Sequence, residues 1–213
     1  MKKHALAFLA MTLAPACLYA VDGVTLINQS TVNAAGGFPY RIMQSGSYKL
    51  SGPLSPLVNQ SAIVISANNV VLDLNGFSVQ CSLDGTAPFI NIFGCISDNL
   101  TAAHNITIRN GTVTLTGSAS SPNLVTGNVG VSFLASNRVT VEYLQIEVNL
   151  TNLVGRCLDV PTNSIVRSNI LSGNQGGVDA SCPALLDGNI NAASAGGGHT
   201  GGNCVFVNNI GSF

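Results

Sequence analysis

Two aspartates occupy matching positions of a short sequence repeat and could act together. Asp159 and Asp179 are each the centre of an apolar–Asp–apolar triplet, one repeat apart. If the two triplets lie on neighbouring parallel strands, the carboxylates face outward about 5 Å apart. Like charges at that distance raise one of the two pKa values unless a cation lies between them. Such a pair could serve as acid and base or as half of a calcium site. The simpler interpretation, which we favour, is a pair of solvated surface acids.

Other charged residues recur along the repeat with alternating sign. They are Asp73, Arg109, Glu142, Arg167 and Asp187. We expect them in one outward-facing column, where opposite charges on adjacent strands contribute about 0.2–1 kcal/mol per pair and help to set the strand register. We therefore interpret this charge ladder as structural.

The cysteines indicate disulfides in an exported protein. We expect Cys81 to pair with Cys95, because the two bracket one loop, and Cys182 to pair with Cys204. Spacing alone does not prove connectivity. Cys157 is then left over, and we expect it to be a packed core or turn residue rather than a nucleophile.

The elements that position these residues are short strands. Apolar and polar residues alternate over five to eight positions between Asn/Gly/Ser turns, which is typical of strands. The segment 166–170 resembles 186–190 and 206–210, which follow it at a constant interval. Earlier intervals are longer, which places insertions around residues 80–95 and 117–128. A period of about 20 residues without helices predicts a β-solenoid.

The predicted fold class is all-β, a single-stranded right-handed parallel β-helix of roughly six to eight coils. We assign residues 61–213 to this solenoid and residues 21–60 to an N-terminal cap with the first strands. Asparagines at 69, 105, 137 and 163 precede strands, where they suit left-handed turns. Alternation along the strands predicts the inward-facing residues Val70, Leu72, Ile106, Ile108, Val139 and Val141, with outward neighbours that include Glu142.

The segment 1–20 is expected to be a signal peptide. A basic start at Lys2 and Lys3 precedes an apolar run that is too short to span a bilayer. Cys17 offers a lipoprotein alternative, but Leu13 lies four positions before it, where such signals usually place Leu three before. We expect a secreted or cell-surface protein without a transmembrane segment.

Charge excludes two classes of partner. Only 8% of the chain is charged, and removal of Lys2 and Lys3 leaves six basic against nine acidic residues, a formal charge of −3. Nucleic acids and anionic membranes attract basic faces, so neither is an expected partner.

Four segments carry a resemblance to a known group. They are Gly37–Ile42, Ser45–Gly52, Ala62–Phe77 and Asn105–Gly111. Together they resemble the opening of secreted bacterial right-handed parallel β-helix repeat proteins, which share the fold of the pectin-lyase-like superfamily. The resemblance implies a fold rather than a function, because most members have no established activity.

The catalytic motifs of that superfamily are missing. Polygalacturonase-like members would carry Asn-Thr-Asp, Asp-Asp, Gly-His-Gly and Arg-Ile-Lys clusters. Here only the Gly-His of the third motif occurs, at 198–200, in a Gly-rich stretch that we interpret as a flexible loop. Lyase-like members place a basic residue beside calcium-binding acids, and only Arg156 lies near Asp159 and Asp179 in sequence.

The favoured function is therefore a non-catalytic extracellular or cell-surface β-solenoid with a structural, adhesive or glycan-contacting role. The alternative is a small polysaccharide lyase or glycoside hydrolase with Asp159 and Asp179 in its site. No cofactor is predicted, and calcium is the ion that this pair would take. Expected partners are an extracellular polysaccharide or surface protein, and a second copy bound through the C-terminal coil.

Overall fold

The computed structural model describes residues 23–84, 94–98, 100–119, 128–194 and 198–213. The predicted signal segment 1–20, with Cys17, lies outside these residues. Most of the two predicted insertions, at 85–93 and 120–127, also lies outside them.

In chain order the elements are β1 (Val24–Ile27), α1 (Gln29–Ala34), β2 (Tyr40–Ile42), β3 (Gly46–Leu50), β4 (Ile63–Ile65), β5 (Val70–Asp73), β6 (Ser78–Asp84), β7 (Ile96–Ser97), β8 (His104–Ser118), β9 (Asn128–Ser132), β10 (Asn137–Thr151), β11 (Gly155–Val160), β12 (Ser164–Arg167), β13 (Ile170–Gly173), β14 (Gly176–Ser181), β15 (Ala184–Asp187), β16 (Ile190–Asn191), β17 (Gly198–Thr200) and β18 (Val205–Val207).

The strands form two parallel sheets in the described part of the chain. The long sheet has the order β1-β3-β5-β8-β10-β12-β15-β18. Beside this path, β6 pairs with the second half of β8, β13 pairs with the second half of β10, and β16 pairs with β13. The short sheet has the order β17-β14-β11-β9-β7-β4-β2. The chain therefore passes from one sheet to the other and returns to lie beside its previous pass.

The pairing register follows the sequence repeat. Val166 pairs with Leu186, and Leu186 pairs with Phe206, so one repeat of the sequence is one pass of the chain. All six predicted inward residues are fully buried: Val70, Leu72, Ile106, Ile108, Val139 and Val141. They belong to a single apolar core that both sheets enclose.

Residues with a left-handed backbone conformation lie at the start of several strands. Asn69, Asn105 and Asn163 adopt positive φ, as expected for turn asparagines. The fourth predicted turn asparagine, Asn137, was placed one residue too early. Asn137 pairs with His104, and the positive φ belongs to the next residue, Arg138. The Asn105 Nδ2 donates to the Asn69 Oδ1 at 2.8 Å, so these two side chains stack from strand to strand.

A short helix was not predicted. The Asn28 side chain accepts from the Thr31 N–H at 3.0 Å, and the Thr31 hydroxyl accepts from the Asn28 N–H at 2.8 Å, which caps α1. Val32 is the buried residue of α1 and packs into the core. Among the described residues, no helix is long and apolar enough to span a bilayer.

The cysteines are arranged as two disulfides and one thiol. Cys81 of β6 is bonded to Cys95, which precedes β7, and Cys182 is bonded to Cys204, with Cα–Cα distances of 5.8 and 5.0 Å. Cys157 is free and buried. Burial raises the pKa of its thiol to about 12, so Cys157 is a packed core residue rather than a nucleophile.

Candidate functional site

The two predicted site residues are direct neighbours in the short sheet. Asp159 of β11 pairs with Asp179 of β14. On its other side Asp159 pairs with Ser132 of β9, and Asp179 pairs with Gly198 of β17. The inward neighbours Leu158 and Val178 anchor both strands in the core. The sequence repeat therefore placed the two acids on adjacent strands correctly.

Their exposure differs from the expectation. The Asp159 residue is only 3% exposed, whereas the Asp179 side chain is 33% exposed. The prediction that both carboxylates face solvent was therefore wrong for Asp159. The same outward column of the short sheet contains Val64, Ser97 and Ser132, which are also buried. Asp159 is therefore the last buried residue of this column, and Asp179, on the next strand, is the first partly exposed one.

Arg156 joins the two acids. Its Nη1 donates to the Asp159 Oδ1 at 3.3 Å and also to the Asp179 Oδ2. Arg156 belongs to β11, three positions before Asp159, and its side chain is 35% exposed. Its guanidinium is the cation that the two neighbouring carboxylates require.

Burial raises the pKa of Asp159 to about 7. Desolvation of the charged form is the largest cause, the Arg156 charge acts in the opposite direction, and the Asp179 charge adds to the rise. A substantial fraction of Asp159 therefore carries a proton near neutral pH, when an exposed aspartate is ionised.

Arg156 and Asp179 line an open groove of about 340 Å³. Its floor is formed by small residues, which include Gly176, Gly177 and Gly198. A Cβ at Gly198 would lie 3.7 Å from the Asp179 Oδ1, so the glycine leaves this carboxylate accessible. We call this depression the carboxylate groove.

Two amide side chains build the wall of the carboxylate groove. Asn174 accepts from the Leu150 N–H and donates to the Leu150 carbonyl, both at 2.8 Å. Gln175 accepts from the Gly155 N–H at 3.0 Å. Because these amides bind the protein backbone, Arg156 and Asp179 are the polar groups that the groove presents to a ligand.

A calcium site has few donors here. Among the described residues, no group of three or more His, Cys, Asp or Glu side chains could hold a metal ion. Calcium takes six to eight oxygen ligands, and at the carboxylate groove the guanidinium of Arg156 already bridges the two carboxylates.

Larger depressions of about 540 and 470 Å³ lie beside α1. In the described part of the chain, neither is lined by an acidic side chain. The carboxylate groove, which Asp179 lines, is therefore the better candidate for a site of acid–base catalysis than either of these depressions.

The charge ladder has the predicted register and one further member. Asp73 pairs with Arg109, Arg109 with Glu142, Glu142 with Arg167 and Arg167 with Asp187. Lys49, which the sequence reasoning missed, pairs with Asp73 and continues the alternation. The Arg109 Nε lies 3.3 Å from the Asp73 Oδ2, and the Arg167 Nε donates to the Glu142 Oε2 at 2.6 Å. Glu142 lies in the outward column as predicted, and it is buried there beside Arg167.

Asp98 is a buried acid that sequence reasoning missed. Its Oδ2 accepts from the Ala135 N–H, the Ser136 N–H and the Ser136 hydroxyl at 2.8–2.9 Å. These bonds connect segments that are far apart in the sequence, so no local pattern signals them. With its carboxylate used in this way, Asp98 has a structural role.

The stretch 198–200 is a strand, which corrects its interpretation as a flexible loop. β17 pairs with β14, and His199 lies opposite Ala180 in the backbone register. Residues 195–197 before it lie outside the described residues.

Comparisons with known proteins give no assignment. No protein-family model matches the chain, and no curated protein or solved structure is significantly similar to it. The functional assignment therefore depends on the arrangement of the residues at the carboxylate groove.

Proposed function

We propose that the two sheets are faces of one right-handed parallel β-helix of the kind found in the pectin-lyase-like superfamily. Repeated passage between two parallel sheets supports a helical path, and crossovers between parallel strands are almost always right-handed. The eight strands along the main path of the long sheet are compatible with the expected six to eight coils.

On this scaffold we propose a non-catalytic extracellular or cell-surface role in which the carboxylate groove contacts a glycan. The observation that carries the proposal is that Arg156 and Asp179 line an open groove while Arg156 also contacts the buried Asp159 behind them. Arg156 compensates the charge of the acids and presents N–H donors beside the Asp179 oxygens. Donors and acceptors placed side by side suit the neighbouring hydroxyls of an uncharged sugar.

A row of threonines on the long sheet also supports contact with a glycan. Thr112, Thr114 and Thr116 alternate along β8 with the buried residues Val113 and Leu115, so the three threonines share the outward face. Their hydroxyls are separated by about 7 Å along the strand. Two disulfides agree with an oxidising, extracellular setting.

Binding to immobilised polysaccharides tests this proposal. We expect the purified chain to be retarded by one or more neutral polysaccharides in affinity electrophoresis, and Asp179→Asn to weaken that retardation about tenfold, as loss of a charge-assisted hydrogen bond does. Asp187→Asn is the matched control, because Asp187 lies on β15, which pairs with neither β8 nor the groove strands β11 and β14, and its carboxylate accepts from Asn208. Equal retardation of the two variants would contradict a role for the groove.

One observation favours the alternative, a polysaccharide lyase or glycoside hydrolase. With a pKa of about 7, Asp159 can act as a proton donor, and Asp179 lies directly beside it on the next strand. Adjacent parallel strands are about 5 Å apart, which is the carboxyl separation of retaining glycosidases.

A turnover screen separates the two functions. The substrates are polygalacturonate, alginate and neutral glycans, each with and without calcium. Turnover that Asp159→Asn and Asp179→Asn both abolish, with folding retained, would replace the binding role by catalysis. Calcium-dependent turnover lost in Asp179→Asn would also assign the ion to this pair.

A further inference from the structure

The inward column of the long sheet becomes partly exposed at β18. In the long sheet the inward positions of successive strands are occupied by Tyr48, Leu72, Ile108, Val141, Val166 and Leu186, and all six are buried. Phe206 of β18 is next in this column and is 42% exposed. Repeat arrays normally shield such partly exposed apolar positions with a polar capping element or a neighbouring chain.

The opposite end of the long sheet is different. In β1 the same inward position is taken by Thr25, a polar residue. The helix α1 follows β1 directly and buries Val32 in the core. At the inward position, β18 is therefore the more apolar of the two outer strands of the long sheet.

The charge ladder also stops before β18. Its next position after Asp187 is Val207, and residues 188–213 contain no Asp, Glu, Lys or Arg. Val205 and Val207 are 53% and 38% exposed. Charged side chains normally keep an exposed edge strand from pairing with another chain, and β18 has none.

We propose that β18 pairs with β18 of a second copy of this chain. An antiparallel pairing about a twofold axis places Phe206 opposite Phe206 of the second copy and each Val205 opposite Val207. Two identical uncharged edges do not repel each other, and a twofold contact closes at a dimer. The pairing also covers the exposed end of the core column.

Sedimentation equilibrium tests the proposal, with Val207→Lys as the diagnostic variant. The lysine would lie opposite Asp187 and would continue the alternation of charge along the ladder. Because the new pair is attractive, we expect the fold to tolerate it. We expect the mass of the wild-type chain to be twice that of one chain, and the mass of Val207→Lys to be that of a single chain with an unchanged circular dichroism spectrum.

Two further variants complete the test. Leu26→Glu places a charge at the equivalent ladder position of β1, opposite Lys49, and should leave the dimer intact. Val205→Thr introduces a residue type that the same outward column contains at Thr107 and Thr140, and should weaken the dimer if Val207→Lys does not fold. A single-chain wild type, a dimer that survives both β18 variants, loss of assembly in Leu26→Glu, or growth beyond two copies would each overturn the proposal.

Discussion

The Asp159 side chain has lost nearly all contact with water, while Asp179 on the next strand keeps about a third of its surface exposed. Arg156 contacts both carboxylates, and its charge favours the ionised form of Asp159. Burial nevertheless dominates at Asp159 and raises its pKa to about 7. The folded protein therefore binds a proton at this position that the unfolded chain releases near pH 4.

The pH dependence of stability follows from this difference. Between about pH 4 and pH 7 the native state holds more protons than the unfolded state, so the contribution of Asp159 to stability falls as the pH rises through that interval. Asparagine does not ionise, so Asp159→Asn avoids this decrease in stability. The decrease amounts to about 1.4 kcal/mol per unit of difference between the folded-state and unfolded-state pKa values of Asp159. We expect the variant to match the wild type at about pH 3, below both pKa values, and to have a higher Tm at pH 8.

Thermal unfolding followed by circular dichroism at several pH values provides the measurement. Glu147→Gln serves as the control, because it removes a carboxylate outside the carboxylate groove. Parallel curves of Tm against pH for the wild type and Asp159→Asn would show that Asp159 is not protonated in the native state.

The sequence predicted which site residues are neighbours but not their environments. The repeat was sufficient to align Asp159 with Asp179. The burial of Asp159 depends on what covers the outer face of the short sheet, and the bridge by Arg156 depends on the path of β11. Neither property has a periodic signal in the sequence.

At the scale of the elements, the charge ladder crosses six strands of the long sheet, from β3 to β15. Arg109 lies between Asp73 and Glu142, so it has an opposite charge on each side. Its side chain is partly exposed, which limits the value of each pair through solvent screening.

Arg109→Glu would place three acids in a row on adjacent strands. Two attractive pairs become repulsive, and we expect a loss of about 1–2 kcal/mol in the free energy of unfolding. For a chain of this size that loss corresponds to a Tm lower by roughly 2–8 °C, measured by calorimetry. Arg41→Glu is the matched control, since Arg41 pairs with Val64 outside the ladder and should lower Tm less. Equal shifts in both variants would indicate a general charge effect.

The strands and their register were largely predictable, whereas the helix was not. Alternation and repeat spacing predicted the partners of β8, β10 and β12. The helix α1 has the composition Gln-Ser-Thr-Val-Asn-Ala and only one buried residue, so it shows no amphipathic period. Its one signal is the cap formed by Asn28 and Thr31. Lys49 was missed because its strand was assigned to the N-terminal cap region rather than to the repeat.

At the scale of the molecule, each pass of the chain contacts mainly the passes on either side. Stability in such arrays is a sum of local terms, so it differs along the molecule. The strands β8 and β10 are long and paired on both sides, whereas β18 is short and paired on one side in the described part of the chain.

Hydrogen exchange should reveal this gradient. In the Val207→Lys variant, where no dimer protects the edge, we expect the slowest amide exchange in β8 and β10 and the fastest in β18. Replacing Cys182 and Cys204 by serine should accelerate exchange in β17 and β18 and leave β3 and β5 unchanged, because that disulfide lies at the far end of the molecule. A uniform acceleration in all strands would contradict local stability.

The alternating ladder also constrains how a chain of this kind can grow by gene duplication. From Lys49 to Asp187 the sign reverses at every strand of the column. Copying one pass of the chain would set two like charges side by side, whereas copying two consecutive passes preserves the alternation. The ladder therefore acts as a parity rule, and lengthening in steps of two passes avoids the electrostatic cost that a single added pass would carry.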